Sequence, residues 1–211
     1  MGTKERKERE REIRRAEILE AAKAVFFSRG FQTATMDQVA KAAELSKGTL
    51  YLYFSCKEEL YVSILLEGLD KLIRRFRNAA EGASGWEAKL RAVGKAYFEF
   101  YQEEKNYFQI LFFLHHGELS TKIPENLFQK CTLKGIEALS YISKAVEKGI
   151  ESGEAEPGDT MEAAVVAWGS MTGILLLYEE EEHRQFIPMP LKSVVKRTID
   201  TLVEGFKKRA S

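Results

Sequence analysis

The residues best suited to chemistry are basic and hydroxyl-bearing side chains that lie close together near the amino end of the chain. Lys47 and Lys57 can neutralise phosphate charge, and Tyr51 and Tyr53 can donate hydroxyl hydrogen bonds to phosphate oxygens. Gly48 follows the predicted start of a helix, where free backbone N–H groups suit an anion and a missing side chain allows close approach. Together these residues predict contact with a phosphate backbone.

A short helix that begins near Met36 is predicted to support these residues. Thr35 is followed three residues later by Gln38, which is the spacing of a capping box. Met36, Val39 and Ala43 recur at three- and four-residue intervals and give this helix one buried face.

A second short helix is predicted from Lys47 to about Phe54, with Ser46 as its N-cap. Leu50 and Phe54 are four residues apart and point inward. Two short helices joined by a tight turn form a helix-turn-helix, whose second helix enters the major groove of DNA. The predicted DNA-binding residues are Thr35, Ser46, Lys47, Gly48, Thr49, Tyr51, Leu52, Tyr53 and Lys57.

Leu52 is an apolar residue on or beside the outward face of this second helix. Contact with a thymine methyl group would explain its position. Packing against the next helix would explain it equally well, and the sequence leaves both interpretations open.

The segment VAKAAELSKGTLYLYFSCKEEL resembles the signature of the TetR (tetracycline-repressor-like) family of bacterial transcriptional regulators, and the close resemblance covers about the first sixty residues. The matching residues are Thr35, Val39, Ala40, Ala43, Ser46, Gly48, Tyr51, Tyr53, Phe54, Lys57, Glu58 and Leu60.

Two positions depart from the family pattern. Glu44 stands where the family usually has glycine, so we expect a left-handed backbone there at some cost in strain. Cys56 stands where a small polar helix cap is usual, and Ser55 is expected to cap instead, with Glu58 completing its box.

Helical periodicity continues through the rest of the chain, which predicts an all-α protein with a helix-turn-helix domain at 1–56 and a helical domain at 57–211. A supporting first helix runs from about Ile13 and ends with Gly30 as its cap. A long helix from Lys57 to about Ala80 joins the two domains. The remaining helices are predicted at about 86–104, 106–116, 124–151, 161–180 and 191–208.

The helix at 161–180 is apolar almost all round, which means that it is covered on every side. Gly169, Ser170 and Gly173 are small enough to let another helix approach closely. Together with the helix at 191–208 it predicts a four-helix homodimer interface. The family resemblance implies the same interface.

Dimerisation would explain how one short recognition helix can bind tightly. A two-fold dimer presents two such helices to half-sites about 34–36 Å apart, so the operator should be palindromic. The affinity should fall steeply with salt, because phosphate contacts supply much of it.

The helical domain holds more aromatic residues than a DNA-binding module needs. For any single residue, ordinary core packing is the simpler explanation; as a set, they are expected from the resemblance to line a pocket for an apolar or aromatic small molecule. The predicted ligand-binding residues are Tyr97, Tyr101, Phe108, Phe112, His115, Phe128, Trp168 and Met171. His115 and His116 are adjacent on a helix and do not share a face, so a polar anchor for the ligand is favoured over a metal site.

Composition excludes several classes of protein. The formal net charge is zero over 211 residues, although residues 1–77 hold 16 Lys and Arg against 12 Asp and Glu. The remainder holds 16 against 20, so a mildly basic head precedes an acidic body. Cys56 and Cys131 suggest no disulfide framework. No secretory signal is present, and the apolar run 163–178 is short for a membrane span, so we expect a cytoplasmic protein.

Residues 4–15 alternate basic residues with glutamate. A frayed, solvated helix end is the simpler interpretation. The alternative is a basic arm that touches the DNA backbone or minor groove, with Arg11, Arg14 and Arg15 as its candidates.

Two functional hypotheses follow. The first is a ligand-responsive repressor that binds a palindromic operator as a homodimer and is released by an apolar effector. The second is a binding protein on the same scaffold whose partner is another protein. An enzyme is not expected, because the sequence has no P-loop, nucleophile elbow, H-E-x-x-H or dinucleotide fingerprint, and no cofactor is implied.

Overall fold

The computed structural model describes residues 3–113 and 124–209. Within these ranges the chain forms ten α-helices and one isolated antiparallel bridge, between Ala155 and Lys207. The helices are α1 (Thr3–Arg29), α2 (Met36–Ala42), α3 (Lys47–Tyr51), α4 (Lys57–Glu81), α5 (Trp86–Glu103), α6 (Lys105–Phe113), α7 (Glu125–Glu151), α8 (Thr160–Glu179), α9 (Glu181–Phe186) and α10 (Leu191–Phe206). The prediction of an all-α protein is confirmed.

Contacts divide the chain into two compact units. The first, which we call the head unit, comprises Met1–Gly68 and Asn106–Thr132. The second, the body unit, comprises Leu69–Lys105 and Leu133–Ser211. Helix α4 therefore begins in the head unit and ends in the body unit. The functional boundary predicted between residues 56 and 57 remains a proposal.

Helices α1, α2 and α3 surround the small core of the head unit. Ile18, Val39, Leu50 and Phe54 are fully buried in it. Gly30 ends α1 as predicted, with a positive φ of 77° that glycine adopts without strain. Phe31 then packs back, with its ring centre 4.5 Å from that of Tyr61.

A buried lysine ties three helices of the head unit together. Lys23 on α1 is 7% exposed, and its ammonium donates to both carboxylate oxygens of Glu67 on α4 at 3.0 and 3.1 Å. It also donates to the hydroxyl of Tyr107 on α6, and that hydroxyl donates to Glu67 at 2.5 Å. Burial alone would lower the pKa of Lys23, but its bonds to Glu20, Glu67 and Tyr107 outweigh burial and raise it.

Gly68 allows this arrangement. A Cβ atom there would lie 3.0 Å from the Tyr107 ring, so a larger residue would push α6 away from α4. The Tyr61 hydroxyl adds a second bond between the same helices by donating to the carbonyl of Ile110. Helix α6 is thus fixed to the head unit at two points.

Helices α5, α8 and α10 form the centre of the body unit, where one side of α8 is buried through Ala164, Ala167, Met171 and Leu175. Among the described residues, α8 alone has the length and hydropathy of a membrane-spanning helix. A core helix of a folded protein passes the same test, and 28% of the apolar stretch of α8 is buried within the chain.

Several predicted helix ends differ from those observed. Helix α8 begins at Thr160, one residue before the predicted start, and Asp159 caps it, because its Oδ1 accepts from the backbone N–H groups of Met161 and Glu162. Helix α1 is continuous from Thr3. Part of the helix predicted at 106–116 lies outside the described residues. Between the two predicted helices at 161–180 and 191–208, the structure adds the short helix α9.

Candidate nucleic-acid interface

Local hydrogen bonds build the predicted helix-turn-helix. The Thr35 side chain accepts from the backbone N–H of Gln38, and the Gln38 side chain accepts from the backbone N–H of Thr35, which confirms the capping box. Ser46 caps α3 by accepting from the backbone N–H of Thr49 at 3.1 Å. Glu44 has the expected positive φ, at 55°, in the turn between the two helices.

Helix α3 is shorter than predicted. It ends at Tyr51, and a tighter turn of the 3₁₀ type follows. In this turn the N–H of Leu52 donates to the carbonyl of Thr49, and the N–H of Tyr53 donates to the carbonyl of Leu50. The tighter turn still buries Phe54 completely.

The outward side of α3 is open to solvent. Leu52 is 73% exposed and Tyr51 is 44% exposed, although both are large residues. The interpretation that Leu52 rests on the next helix is therefore wrong. An apolar residue held outward in this way suits contact with a thymine methyl group.

Lys47 extends from the first turn of α3 and pairs with Asp37 in the first turn of α2. The ammonium lies 2.6 Å from the carboxylate, and both side chains are more than half exposed. The hydrogen bond to Asp37 raises the pKa of Lys47. The lysine is thus charged and stands beside α3, but it must leave Asp37 before it can contact a phosphate.

Lys57 takes a different position from the one that a phosphate contact would suggest. Its ammonium donates to the backbone carbonyls of Phe31, Gln32 and Ala34, at 2.8, 3.4 and 3.0 Å, and lies over the Phe31 ring. These bonds engage all three ammonium donors. Lys57 therefore orders the connection between α1 and α2, and its predicted phosphate contact remains untested.

The start of α4 is anchored by Glu59. Its carboxylate accepts from both the backbone N–H and the hydroxyl of Ser55, at 2.7 and 2.9 Å, so the predicted pairing of Ser55 with Glu58 is corrected to Glu59. Arg15 donates to the same carboxylate and to the carbonyl of Tyr53. Burial raises the pKa of Glu59, but these bonds outweigh it and lower the pKa below its usual value.

The predicted ligand-binding residues do not form one site. Three of them, Tyr97, Trp168 and Met171, meet around a cavity of about 30 Å³ in the body unit. The other residues of the wall are not among the predicted ligand-binding residues. They are Phe76, Leu90, Val93, Gly94, Ile142, Ala167, Ile199 and Leu202.

The other predicted ligand-binding residues lie elsewhere. Tyr101 donates to Glu179 at 2.5 Å, and Phe108 is fully buried in the head unit. Phe128 is 52% exposed on α7. The Phe112 side chain and His115 lie outside what the structure describes.

The cavity is lined mainly by apolar side chains, and Tyr97 brings a hydroxyl group to its wall. Tyr97 is buried, and its hydroxyl shares a hydrogen bond of 2.8 Å with the Thr172 hydroxyl. Burial raises the pKa of Tyr97, so the phenol is neutral. A volume of about 30 Å³ holds roughly one water molecule, whereas pockets for small molecules measure about 300–1,000 Å³.

The capped α2 and α3, their tight turn and the exposed outer side of α3 define a DNA-binding regulator of the helix-turn-helix class. Residues 18–64 match the family model "Bacterial regulatory proteins, tetR family". The chain is also 30% identical over 164 residues to YhgD, an uncharacterised HTH-type transcriptional regulator of Bacillus subtilis, across 78% of this chain and 83% of that protein. The chain belongs to the TetR family, and it is a DNA-binding transcriptional regulator.

Two further comparisons concern the sequence of about half of the chain and the fold of nearly all of it. The HTH-type transcriptional activator FasR of Mycolicibacterium smegmatis is 36% identical over 102 residues, about half of each protein, at 48% of this chain and 47% of that one. The structure of FadR from Bacillus subtilis in complex with stearoyl-CoA has a TM-score of 0.72 and 23% identity, over 90% of this chain and 98% of that one. At this identity the likeness shows the fold alone.

Proposed function

We propose that this protein is a repressor that binds a palindromic operator as a homodimer and leaves it when an apolar small molecule binds the body unit. The observation that carries the proposal is the outward side of α3, where Tyr51 and Leu52 are exposed beside Lys47 while Leu50 and Phe54 hold the helix in place. Large side chains held in solvent in this way suit contact with another molecule. We further propose that it works in the cytoplasm, where its DNA is.

The exposed side of α8 supports dimerisation. The apolar residues exposed there are Val165, Val166, Trp168, Leu176 and Leu177. A Cβ atom at Gly169 or Gly173 would meet no atom within 4 Å, so the chain itself does not require glycine at either position. Close approach of α8 and α10 from a second copy would require it, as in other helix-packed dimers.

The position of the small cavity suggests how effector binding would weaken DNA binding. Its walls are formed partly by Trp168 and Met171 of α8 and by Ile199 and Leu202 of α10. An effector needs at least about ten times the present volume, so its binding must move these helices apart. The same helices carry the proposed dimer face, and Phe76 in the wall belongs to α4, which begins in the head unit. Effector binding would thus change the spacing of the two recognition helices.

A two-stage experiment tests the proposal. Duplexes are first selected by the wild-type protein from a random-sequence library, and we expect a palindromic consensus that is bound in a steeply salt-dependent way. Stearoyl-CoA, which is present in the similar FadR structure, is then added as a probe and should release the duplex. Release by coenzyme A alone would argue against an apolar effector. Selection of no sequence at all, even at low salt, would favour a protein partner instead.

A further inference from the structure

The amino-terminal half of α1 sorts its charges by side. The helix is continuous from Thr3, yet its first buried residue is Ile18, so about four turns precede the core. Lys4, Lys7, Arg11 and Arg14 follow one another at three- and four-residue intervals, and Ile18 continues the same spacing. At 3.6 residues per turn, all four cations lie within about 40° of the direction in which Ile18 points. We call these four residues the basic stripe.

The glutamates of this segment flank the stripe and do not interrupt it. By the same periodicity Glu5, Glu8 and Glu12 fall on one flank of α1, and Glu10 and Glu17 fall on the other. Solvation and ion pairing alone do not favour any one side of a helix for its cations, and here four cations share the side on which Ile18 lies. Residues 4–15 hold seven cations and four glutamates, and four of the seven cations lie on the basic stripe.

The basic stripe continues the surface of the recognition helix. Lys7, Arg11 and Arg14 line an open groove together with Tyr53, which lies two residues after the end of α3. Glu10, Ile13 and Glu17 complete the lining, so the cations of the groove outnumber its carboxylates. Arg14 is also within 2.8 Å of Glu17, with both side chains about half exposed. Cationic side chains therefore extend the exposed side of α3 along α1.

Arg15 holds α1 against the turn after α3. Because protein contacts occupy its guanidinium, Arg15 is not itself a free phosphate ligand. Its guanidinium donates to the Tyr53 carbonyl at 2.6 Å and to Glu59 at 3.1 Å, and it lies 3.9 Å from the centre of the Phe54 ring. These contacts join α1 to the turn after α3. The stripe and the recognition helix are thus held by the same residue.

From this geometry we infer that the basic stripe of α1 is a second DNA contact, which binds the phosphate backbone flanking the base pairs read by α3. The inference rests on the proposed operator binding, since it extends the same surface. The stripe spans about 15 Å from Lys4 to Arg14 at 1.5 Å per residue, and double-stranded DNA presents one negative charge per about 1.7 Å of its axis. It reads no bases, so it should increase affinity and salt dependence without changing the preferred sequence.

The test compares two variants of the same helix. The stripe variant carries Lys7→Ala and Arg11→Ala, and the control carries Arg6→Ala and Arg9→Ala, which lie on the other sides of α1. Each removes two positive charges. Alanine is the best helix former, so neither variant should lose helix, and circular dichroism checks this.

Binding is measured as a function of salt on a selected duplex with long flanks and on the same duplex trimmed to its palindrome. On the long duplex we expect the stripe variant to bind at least roughly tenfold more weakly than the control. The salt slope should be lower by about 4, because each of the two chains of the dimer loses two phosphate contacts. On the trimmed duplex the two variants should bind alike.

Equal binding by the two variants on the long duplex would overturn the stripe as a DNA contact while leaving operator binding intact. A difference that persists on the trimmed duplex would overturn the assignment to flanking phosphates. If the wild-type protein binds no selected duplex, the proposed function itself fails, and this inference fails with it.

Discussion

Lys47, in the first turn of the recognition helix, is held by Asp37 in the preceding helix, with 2.6 Å between ammonium and carboxylate. The acidic partner both occupies the lysine and places a negative charge beside the surface proposed to meet phosphates. The free protein is therefore not arranged for the strongest possible DNA binding.

Asp37→Asn should increase operator affinity by up to about fivefold, because the Lys47 ammonium then no longer has to leave a carboxylate to meet a phosphate. Asp70→Asn is the matched control, because Asp70 also pairs with a lysine, Lys134, but lies in the body unit. Fluorescence anisotropy with a selected duplex measures both. An Asp37→Asn affinity no higher than that of Asp70→Asn would show that the pair does not restrain Lys47.

Leu52→Ser should weaken operator binding roughly tenfold, since the loss of one base contact costs about 1–3 kcal/mol. The melting temperature should hardly change, because Leu52 is 73% exposed. Leu133→Ser, at a leucine that is 66% exposed in the body unit, is the control and should leave binding unchanged. If both serine variants bind as the wild type does, Leu52 does not touch a base.

Lys57→Ala is unsuited to testing the DNA contact, because it would also remove the donor that three backbone carbonyls share.

Glu67→Leu should lower the free energy of unfolding by roughly 3 kcal/mol, because it leaves the buried Lys23 ammonium without the carboxylate that accepts two of its bonds. Glu20→Leu removes the other carboxylate that pairs with the Lys23 ammonium. Because the Glu20 side chain is 71% exposed, this change should lower the free energy of unfolding by less than about 1 kcal/mol. Urea denaturation followed by circular dichroism compares the two. Equal costs would contradict the view that Glu67, which is less exposed and bonds Lys23 through both oxygens, contributes more to stability than Glu20.

Glu59 should make the head unit sensitive to acid. Because the pKa of Glu59 is lowered in the folded protein, its contribution is complete above the unfolded value of about 4.3 and is lost as the pH falls through the folded value. Glu59→Gln should therefore lower stability by about 2 kcal/mol at neutral pH, and the difference from wild type should shrink below about pH 4. Glu12→Gln, at an exposed glutamate of α1, is the control. A Glu59→Gln deficit that does not change with pH would contradict the role of its ionised form.

Features set by neighbouring residues could be predicted from the sequence. The capping box of Thr35, the left-handed Glu44 and the cap at Gly30 depend on a few adjacent positions, and the structure confirms each. The choice between Glu58 and Glu59 as partner of Ser55 depended on the direction of the first turn of α4, which spacing alone does not give.

Features set by distant residues could not be predicted. Tyr97 meets Trp168 and Met171 only because α5 packs beside α8, and no local pattern separates them from Phe108, which is core in the other unit. The Lys47–Asp37 pair and the bonds of Lys57 to the α1–α2 connection likewise depend on how the helices turn back on one another.

The central claim is that two copies pair through α8 and α10 and present two recognition helices to one operator. Its most direct test is the mass of the protein and of its complex with a selected palindrome, measured by analytical ultracentrifugation for Gly173→Glu. A control, Gly135→Glu, alters a glycine of α7 that is also open to solvent. We expect the control to remain a dimer with two chains per palindrome, and Gly173→Glu to be a folded monomer that binds at least a hundredfold more weakly. A Gly173→Glu protein that stays dimeric and binds as the control does would contradict the account.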